Sequence, residues 1–212
     1  MLISLEYLVN KYNIKFTGIL HVGMHEAEEI GEYEKYISRN KILWIEAMPD
    51  KVKYCLSKFP SILVENAIIS DVEEDVTFHI SNNGQSSSIL ELGLHKSLHP
   101  DVHYINSFKS RSKRLGNIIS KYNDIPFNFL NLDIQGVELR ALKSLGNYLE
   151  KVDYIYTEVN GDYVYEKCDL IGDIDEYLKM FGFKRVETSW FGNCKWGDAF
   201  YVKEKLLYFS FF

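Results

Sequence analysis

The stretch NFLNLDIQGVELRAL, residues 128–142, runs apolar, meets Asp133 where the apolar run stops, and passes through Gly136 into a helical pattern. A carboxylate at the mouth of a buried strand has two readings: a turn residue ahead of a glycine, or a group that meets a ligand. Glu158 stands near the end of the next such run, VDYIYTEV, while Glu46, Asn66 and the triplet His21-Val22-Gly23 close three earlier ones. In an open α/β sheet, ligands bind beyond the carboxyl ends of the strands, near the switch in strand order. Polar and acidic groups therefore collect along one edge of the sheet. Asp133 and Glu158, at adjacent strand ends, are hard oxygen donors that suit Mg²⁺, with Asn160 or Asp162 nearby. Such an ion keeps waters that a vicinal diol can displace. The alternative is that Asp133 meets only a cofactor and Glu158 is a strand-end acid.

The first loop, HVGMHEAEE, discriminates among nucleotides. A dinucleotide fingerprint needs a second glycine so that the backbone can approach the pyrophosphate. Here Gly23 stands alone, His25 follows, and Glu26, Glu28 and Glu29 place three carboxylates where a pyrophosphate would lie. They complement a helix N-terminal dipole, and they also suit a ligand bearing an ammonium and a sulfonium. S-adenosylmethionine is such a ligand. Glu46 follows the glycine turn by about 20 residues, where an acid can accept both ribose hydroxyls. Asn66 and Ala67, after the third strand, are candidates to lie against adenine.

The elements that must hold these groups are apolar runs alternating with helical patterns. FTGILHV, KILWIEA, SILVENAII, PFNFLNLD and VDYIYTEV read as strands, and Leu139, Leu142, Leu145 and Leu149 mark one intervening helix. That alternation predicts a parallel sheet covered on both faces. A chain of 212 residues fits one domain. Residues 1–16 read as an amphipathic N-terminal helix (Leu5, Leu8, Val9, Tyr12), residues 17–203 as the core, and residues 204–212 as an apolar tail, a strand or cap packed on the body or a neighbour. The net charge of −6 opposes an electrostatic grip on nucleic acid or anionic lipid. No stretch approaches the ~20 apolar residues of a membrane span. Three scattered cysteines without a C-x-x-C pair suit a reducing compartment, so a cytoplasmic location is expected.

Taken together, ILHVGMHEAEE, LWIEAMPD, GQSSSIL, FNFLNLDIQGVELRALKS, YIYTEVN and WGDAFYV resemble the FkbM-type S-adenosylmethionine-dependent methyltransferases, over roughly residues 17–203. The resemblance implies a Rossmann-like class I methyltransferase fold: a seven-stranded, mostly parallel sheet with the last strand antiparallel and helices on both faces. It implies O-methylation of a sugar hydroxyl, on a glycan or a deoxyhexose such as rhamnose. By resemblance Gly23, Glu46 and Asp133 lie on the cofactor side with His25 in the loop, and Gln85 and Ser88 match a serine-bearing loop; Glu28 and Ser88 are further cofactor-side candidates. Alternatives are a lipid or small-molecule O-methyltransferase, and an inactive Rossmann-like interaction module. An NAD-dependent reductase is opposed by the glutamates after Gly23. The partner implied is a carbohydrate or glycan acceptor, with a homo-oligomer or a fusion to a glycosyltransferase as further expectations.

Gln135 departs from the pattern. Related sugar methyltransferases often carry a carboxylate two residues after the fourth-strand Asp, and an amide cannot replace it as a base. Candidates for the base are Asp198, His103, Asp162 and Glu138. Topology favours Asp198, because the loop SWFGNCKWGD should return at the ligand edge, with Trp190, Asn193 and Trp196 as a sugar platform. His95, His99 and His103 recur at spacing four, but Pro100 disrupts a shared helix and no cysteine joins them, so they read as surface histidines.

Overall fold

The computed structural model describes residues 1–207. The opening segment forms α1 (Leu5–Tyr12), with Leu5 and Leu8 buried and the Ser4 hydroxyl accepting from the Tyr7 N–H at its start. Strand and helix then alternate: β1 (Ile19–Val22), α2 (Ile30–Tyr33), β2 (Ile42–Glu46), α3 (Pro49–Lys58) and β3 (Leu63–Asn66). An antiparallel ribbon follows, β4 (Asp75–Ser81) and β5 (Tyr104–Arg111), with the short α4 (His95–Leu98) in the long connection between its strands. The chain returns through α5 (Leu115–Ile119), β6 (Phe129–Leu132), α6 (Glu138–Ser144), β7 (Tyr154–Asn160), α7 (Ile171–Met180), β8 (Phe183–Trp190), β9 (Trp196–Lys203) and α8 (Glu204–Leu207). Of the tail expected as a strand or cap over residues 204–212, residues 204–207 form the helix α8 and residues 208–212 lie outside the described residues.

The main sheet runs β3-β2-β1-β6-β7-β9-β8. The last strand of the chain, β9, inserts between β7 and β8 and is antiparallel to both, while the other pairs are parallel. This is the expected fold. Chain order reverses between β1 and β6, so the crevice for a ligand opens beyond their carboxyl ends.

Side chains alternate across the pleat, and the two faces carry different cores. Leu20, Leu43, Leu130 and Ile155 pack with Leu115, Leu142 and Leu178 of the helices after β5. Ile19, Trp44, Phe129, Tyr156 and Phe200 pack on the other face with Leu8, Tyr33 and Cys55. The aromatic richness of the sequence is concentrated on this second face. Each fully buried apolar side chain contributes about 1.5–3 kcal/mol, and β1, β2, β6 and β7 are buried at every position. Strands held that firmly fix the positions of the loops beyond them. Among the described residues, no helix is long and apolar enough to cross a membrane.

Candidate active site

A cleft of about 590 Å³ opens at the carboxyl ends of β1, β2, β6 and β7. Six carboxylates line it, those of Glu28, Glu29, Glu46, Asp133, Glu158 and Asp198, and no described Lys or Arg does. The Met1 ammonium stands at its edge, 3.8 Å from Glu29.

The floor is made where two loops touch. Gly23 adopts φ +96°, and a Cβ there would lie 1.8 Å from the Asp133 carbonyl oxygen. The Gly23 and Met24 N–H groups both donate to the Ile45 carbonyl, joining the β1 loop to β2 as well. Glu46, 5% exposed, accepts from the His25 N–H and the Met48 N–H, each at 2.7 Å. Burial pushes its carboxyl up, against those donors. His25 Nδ1 lies 2.6 Å from Glu28. Burial opposes ionisation of Glu28, but His25 and the backbone N–H groups hold its carboxyl down, to about 2. Asn66 turns away: its amide donates to the Glu46 and Ala47 carbonyls, and its neighbour Ala67 lines the cleft instead. His21, wholly buried between Tyr33 and the Gly23 carbonyl, is pushed down to about 4 by burial and stays neutral.

Asp133 and Glu158 are joined by the residue that looked out of pattern. Gln135 Nε2 donates to Asp133 Oδ1 and to Glu158 Oε2, both at 2.6 Å, and its Oε1 accepts from the Tyr165 hydroxyl at 2.6 Å. The expected Mg²⁺ pair finds no support in this arrangement. An amide donor occupies the facing oxygens of both acids, and among the described residues no three His, Cys, Asp or Glu side chains form a metal-holding group. Gln135 is itself held, in a left-handed backbone conformation (φ 59°), by the Ser88 hydroxyl on its carbonyl at 2.8 Å. Ser88 thus buttresses the loop and is not part of the cleft wall, whereas Asn83 through Ser87 are. Burial, then the charges of Asp133, Glu138 and Asp198, push the Glu158 carboxyl well above the usual range. Glu138, a candidate base on sequence, is fully buried beneath the loop, accepting from the Ile134 and Gly136 N–H groups. Burial pushes it up to about 8.

Across the cleft, Asp198 on β9 stands directly opposite Glu158 on β7. It accepts from the Leu2 N–H at 2.5 Å and from the Tyr156 hydroxyl, and burial raises its carboxyl. Trp196 lines the cleft, stacked on Phe191 at 4.6 Å. Trp190 is 42% exposed and lies over Gly161, outside the cleft wall. Asn160 is wholly buried in β7, with neither amide atom hydrogen-bonded to a described residue, and it too is outside the cleft wall. His95 and His99 are not surface histidines: both line the cleft, with ring centroids 5.0 Å apart. The reason is local. The N–H groups of Gly93, Leu94 and His95 donate to the carbonyls of Val164 and Tyr163, which fastens the start of α4 to the segment after β7. The helix ends before Pro100, so the proline breaks nothing. His103 is exposed and is not part of the cleft wall. The spacing of four is the signal; Pro100 rules out one helix carrying all three histidines, but a single turn ending before it is enough to bring His95 and His99 together.

Three comparisons bear on this geometry. The chain matches the family described as Methyltransferase FkbM domain over residues 21–185. No curated protein matches significantly. Among solved structures, the fold is similar to magnesium protoporphyrin IX methyltransferase from Synechocystis PCC 6803 with bound S-adenosylmethionine, at TM-score 0.51 and 9% identity over 94% of this chain and 76% of that one. It is similar to ribosomal protein L11 methylase from Lactobacillus delbrueckii subsp. bulgaricus (TM-score 0.53, 8% identity, 93% and 75% covered). An S-adenosylmethionine-dependent methyltransferase from Clostridium acetobutylicum ATCC 824 gives 0.51 at 8% identity, over 93% and 88%. At such identities the likeness is one of fold, the class I methyltransferase fold. With the family match spanning most of its length, from the end of β1 into β8, the chain belongs to the FkbM methyltransferase family.

Proposed function

We propose that this protein transfers a methyl group from S-adenosylmethionine to a hydroxyl of a sugar, on a glycan or a deoxyhexose such as rhamnose. One observation carries the cofactor half: the cleft at the sheet's switch point has six carboxylates and no described Lys or Arg on its wall. A pyrophosphate would be repelled there and a sulfonium attracted. Glu46 is placed to receive the ribose hydroxyls, Ala67 to lie against the adenine, and Gly23 and Asp133 to border the methionine end. The bound cofactor supplies an already activated methyl group. What remains to the chain is to hold the acceptor in line, exclude water and take a proton. The stacked Trp196–Phe191 pair is an apolar platform of the kind that sugar C–H faces favour.

Calorimetry and transfer assays test this in order. Micromolar binding of S-adenosylhomocysteine without binding of NADH supports the cofactor. Transfer of labelled methyl to one of a panel of methyl glycosides supports the acceptor; binding without transfer to any sugar sinks that half alone, and no binding favours an inactive module. Glu46→Gln keeps the shape and removes the charge, so S-adenosylhomocysteine affinity should fall about 10- to 100-fold. An unchanged affinity would place the ribose elsewhere.

The acids make a second expectation. Burial raises the carboxyls of Glu29, Glu46, Glu158 and Asp198. A bound cation favours their ionised forms, so binding should release protons, and affinity should rise as pH climbs through the raised range. The sulfonium is the charge that S-adenosylhomocysteine lacks. The ratio of S-adenosylmethionine to S-adenosylhomocysteine affinity should therefore grow between about pH 5 and about pH 8. Calorimetry in buffers of different ionisation enthalpy reads both effects, and a ratio flat with pH would contradict them.

A further inference from the structure

We propose that His95 is the general base that takes the proton from the acceptor hydroxyl, a role that rests on the reading of the cleft as a methyl-transfer site. The other basic groups around the acceptor end each hold at least one hydrogen bond from the protein. Asp198 accepts from Leu2 and Tyr156. Asp133 and Glu158 share the Gln135 amide. His99 Nε2 accepts from the Trp196 indole N–H at 3.2 Å, so its free electron pair is used. His95 differs: it is 5% exposed, it is among the residues lining the cleft, and its enclosed Nδ1 has no hydrogen-bond partner among the described residues. An enclosed imidazole nitrogen without a partner is costly, and a site that keeps one is offering it to a ligand. His25 Nε2 shares that property but lies beside Gly84, at the Glu46 end.

The placement suits the reaction. The His95 ring lies 5.4 Å from that of Tyr165, whose hydroxyl donates to Gln135, the bridge between Asp133 and Glu158. On the other side stands His99, followed by Trp196 and Phe191. A sugar on that aromatic face would meet His95 between the platform and the carboxylates. The titratable groups packed against the imidazole are His99 on its own helix and Tyr165 after β7. Burial first, then His99, push its pKa below the usual value, so it is neutral and able to accept near pH 7. The acceptor O–H proton passes to the imidazole, the oxygen electron pair forms the new O–CH₃ bond, and the C–S bond breaks with its pair returning to sulfur. The products are a methyl ether, a neutral thioether and an imidazolium, which returns its proton to water when the site opens.

The test uses the full chain, S-adenosylmethionine and a panel of methyl glycosides that includes methyl α-rhamnoside. His95→Asn and His95→Ala should lower kcat by about 100-fold or more, with S-adenosylhomocysteine affinity and melting temperature nearly unchanged. Added imidazole should restore part of the rate to His95→Ala and none to the wild type. Wild-type kcat should rise with pH through an ionisation below that of free histidine, and the variants should lose that limb. Independently of turnover, NMR of ¹³C-labelled histidine should show a neutral His95 ring at pH 7, with and without S-adenosylhomocysteine. Wild-type transfer that survives in His95→Asn, variants that imidazole does not rescue, or a protonated ring at pH 7 would each overturn the assignment. A wild type that binds S-adenosylhomocysteine and methylates no sugar instead overturns the acceptor reading on which it rests.

Discussion

Gly23→Ala should melt roughly 10–15 °C below the wild type, whereas Gly31→Ala, a few residues on, should not be destabilised. At 23 the new Cβ would fall 1.8 Å from the Asp133 carbonyl oxygen and 2.7 Å from its carbon, and the residue sits at φ +96°. The left-handed backbone costs an L-residue about 1–2 kcal/mol, and forced overpacking adds about 1–3 kcal/mol or more. The obstacle is backbone, so no rotamer change removes it. The loops cannot part freely, because Val22 pairs with Leu132 and the Asp133 N–H donates to the Val22 carbonyl at 2.9 Å. A loss of about 4 kcal/mol is a large share of the roughly 5–15 kcal/mol that holds a domain together, and about 2–4 °C per kcal/mol gives the shift for a chain of this size. At Gly31 nothing lies within 4 Å of an added Cβ, and alanine is the better helix former there. Thermal unfolding followed by circular dichroism separates the two. A Gly23→Ala variant melting within about 3 °C of the wild type would mean the β1 and β6 loops do not meet as described.

The same contact explains why the fold was legible from sequence and much of the site was not. β1, β2, β6 and β7 are mostly apolar runs buried on both faces, with polar residues chiefly toward their carboxyl ends, a pattern that needs no knowledge of neighbours. The rule that ligands sit beyond strand ends then marks Glu46, Asp133 and Glu158 without any coordinates, and all three line the cleft. What sequence could not reveal is where each side chain spends its hydrogen bonds. Asn66 stands at a strand end as expected, yet its amide caps β2. Ser88 reaches 47 residues along the chain to hold Gln135, and Asp198 takes its donor from Leu2, 196 residues away. Such pairings depend on how the ribbon and the N-terminal segment pack, and no periodicity encodes them. His95 shows the same limit from the other side: its spacing was noticed, but only the docking of α4 on the segment after β7 brings it indoors.

Gln135→Glu should abolish most of the activity, by about 100-fold or more, and should make stability fall more steeply with rising pH than it does in the wild type. The amide now donates to two carboxylates at 2.6 Å each. A glutamate there is isosteric, but when ionised it donates to neither and adds a third negative charge beside the buried Glu158 and the exposed Asp133. Like charges at that distance raise the new carboxyl's pKa above the unfolded value of about 4.3. A folded-state pKa raised in this way leaves stability intact at low pH and removes it as pH rises through the raised value. The variant should therefore lie nearest the wild type near pH 5 and fall behind it near pH 8, by less than the roughly 3–5 kcal/mol of a fully buried uncompensated charge, because position 135 is half-buried and Asp133 is exposed. Urea unfolding at the two pH values reads the difference directly. Gln135→Ala gives the complementary case: it removes the donor that Asp133 and Glu158 share and leaves the Tyr165 hydroxyl only the Ser86 carbonyl, without adding charge, so its deficit near pH 8 should be smaller than that of Gln135→Glu. A carboxylate at this position needs a cation beside it to be tolerated. This chain has an amide in the bridge and an unengaged imidazole nearby, so the proton is taken away from the bridge and the acids are left to face the sulfonium. If Gln135→Glu were as stable as the wild type at pH 8, the bridge would not be holding two acids together, and that division of labour would fail with it.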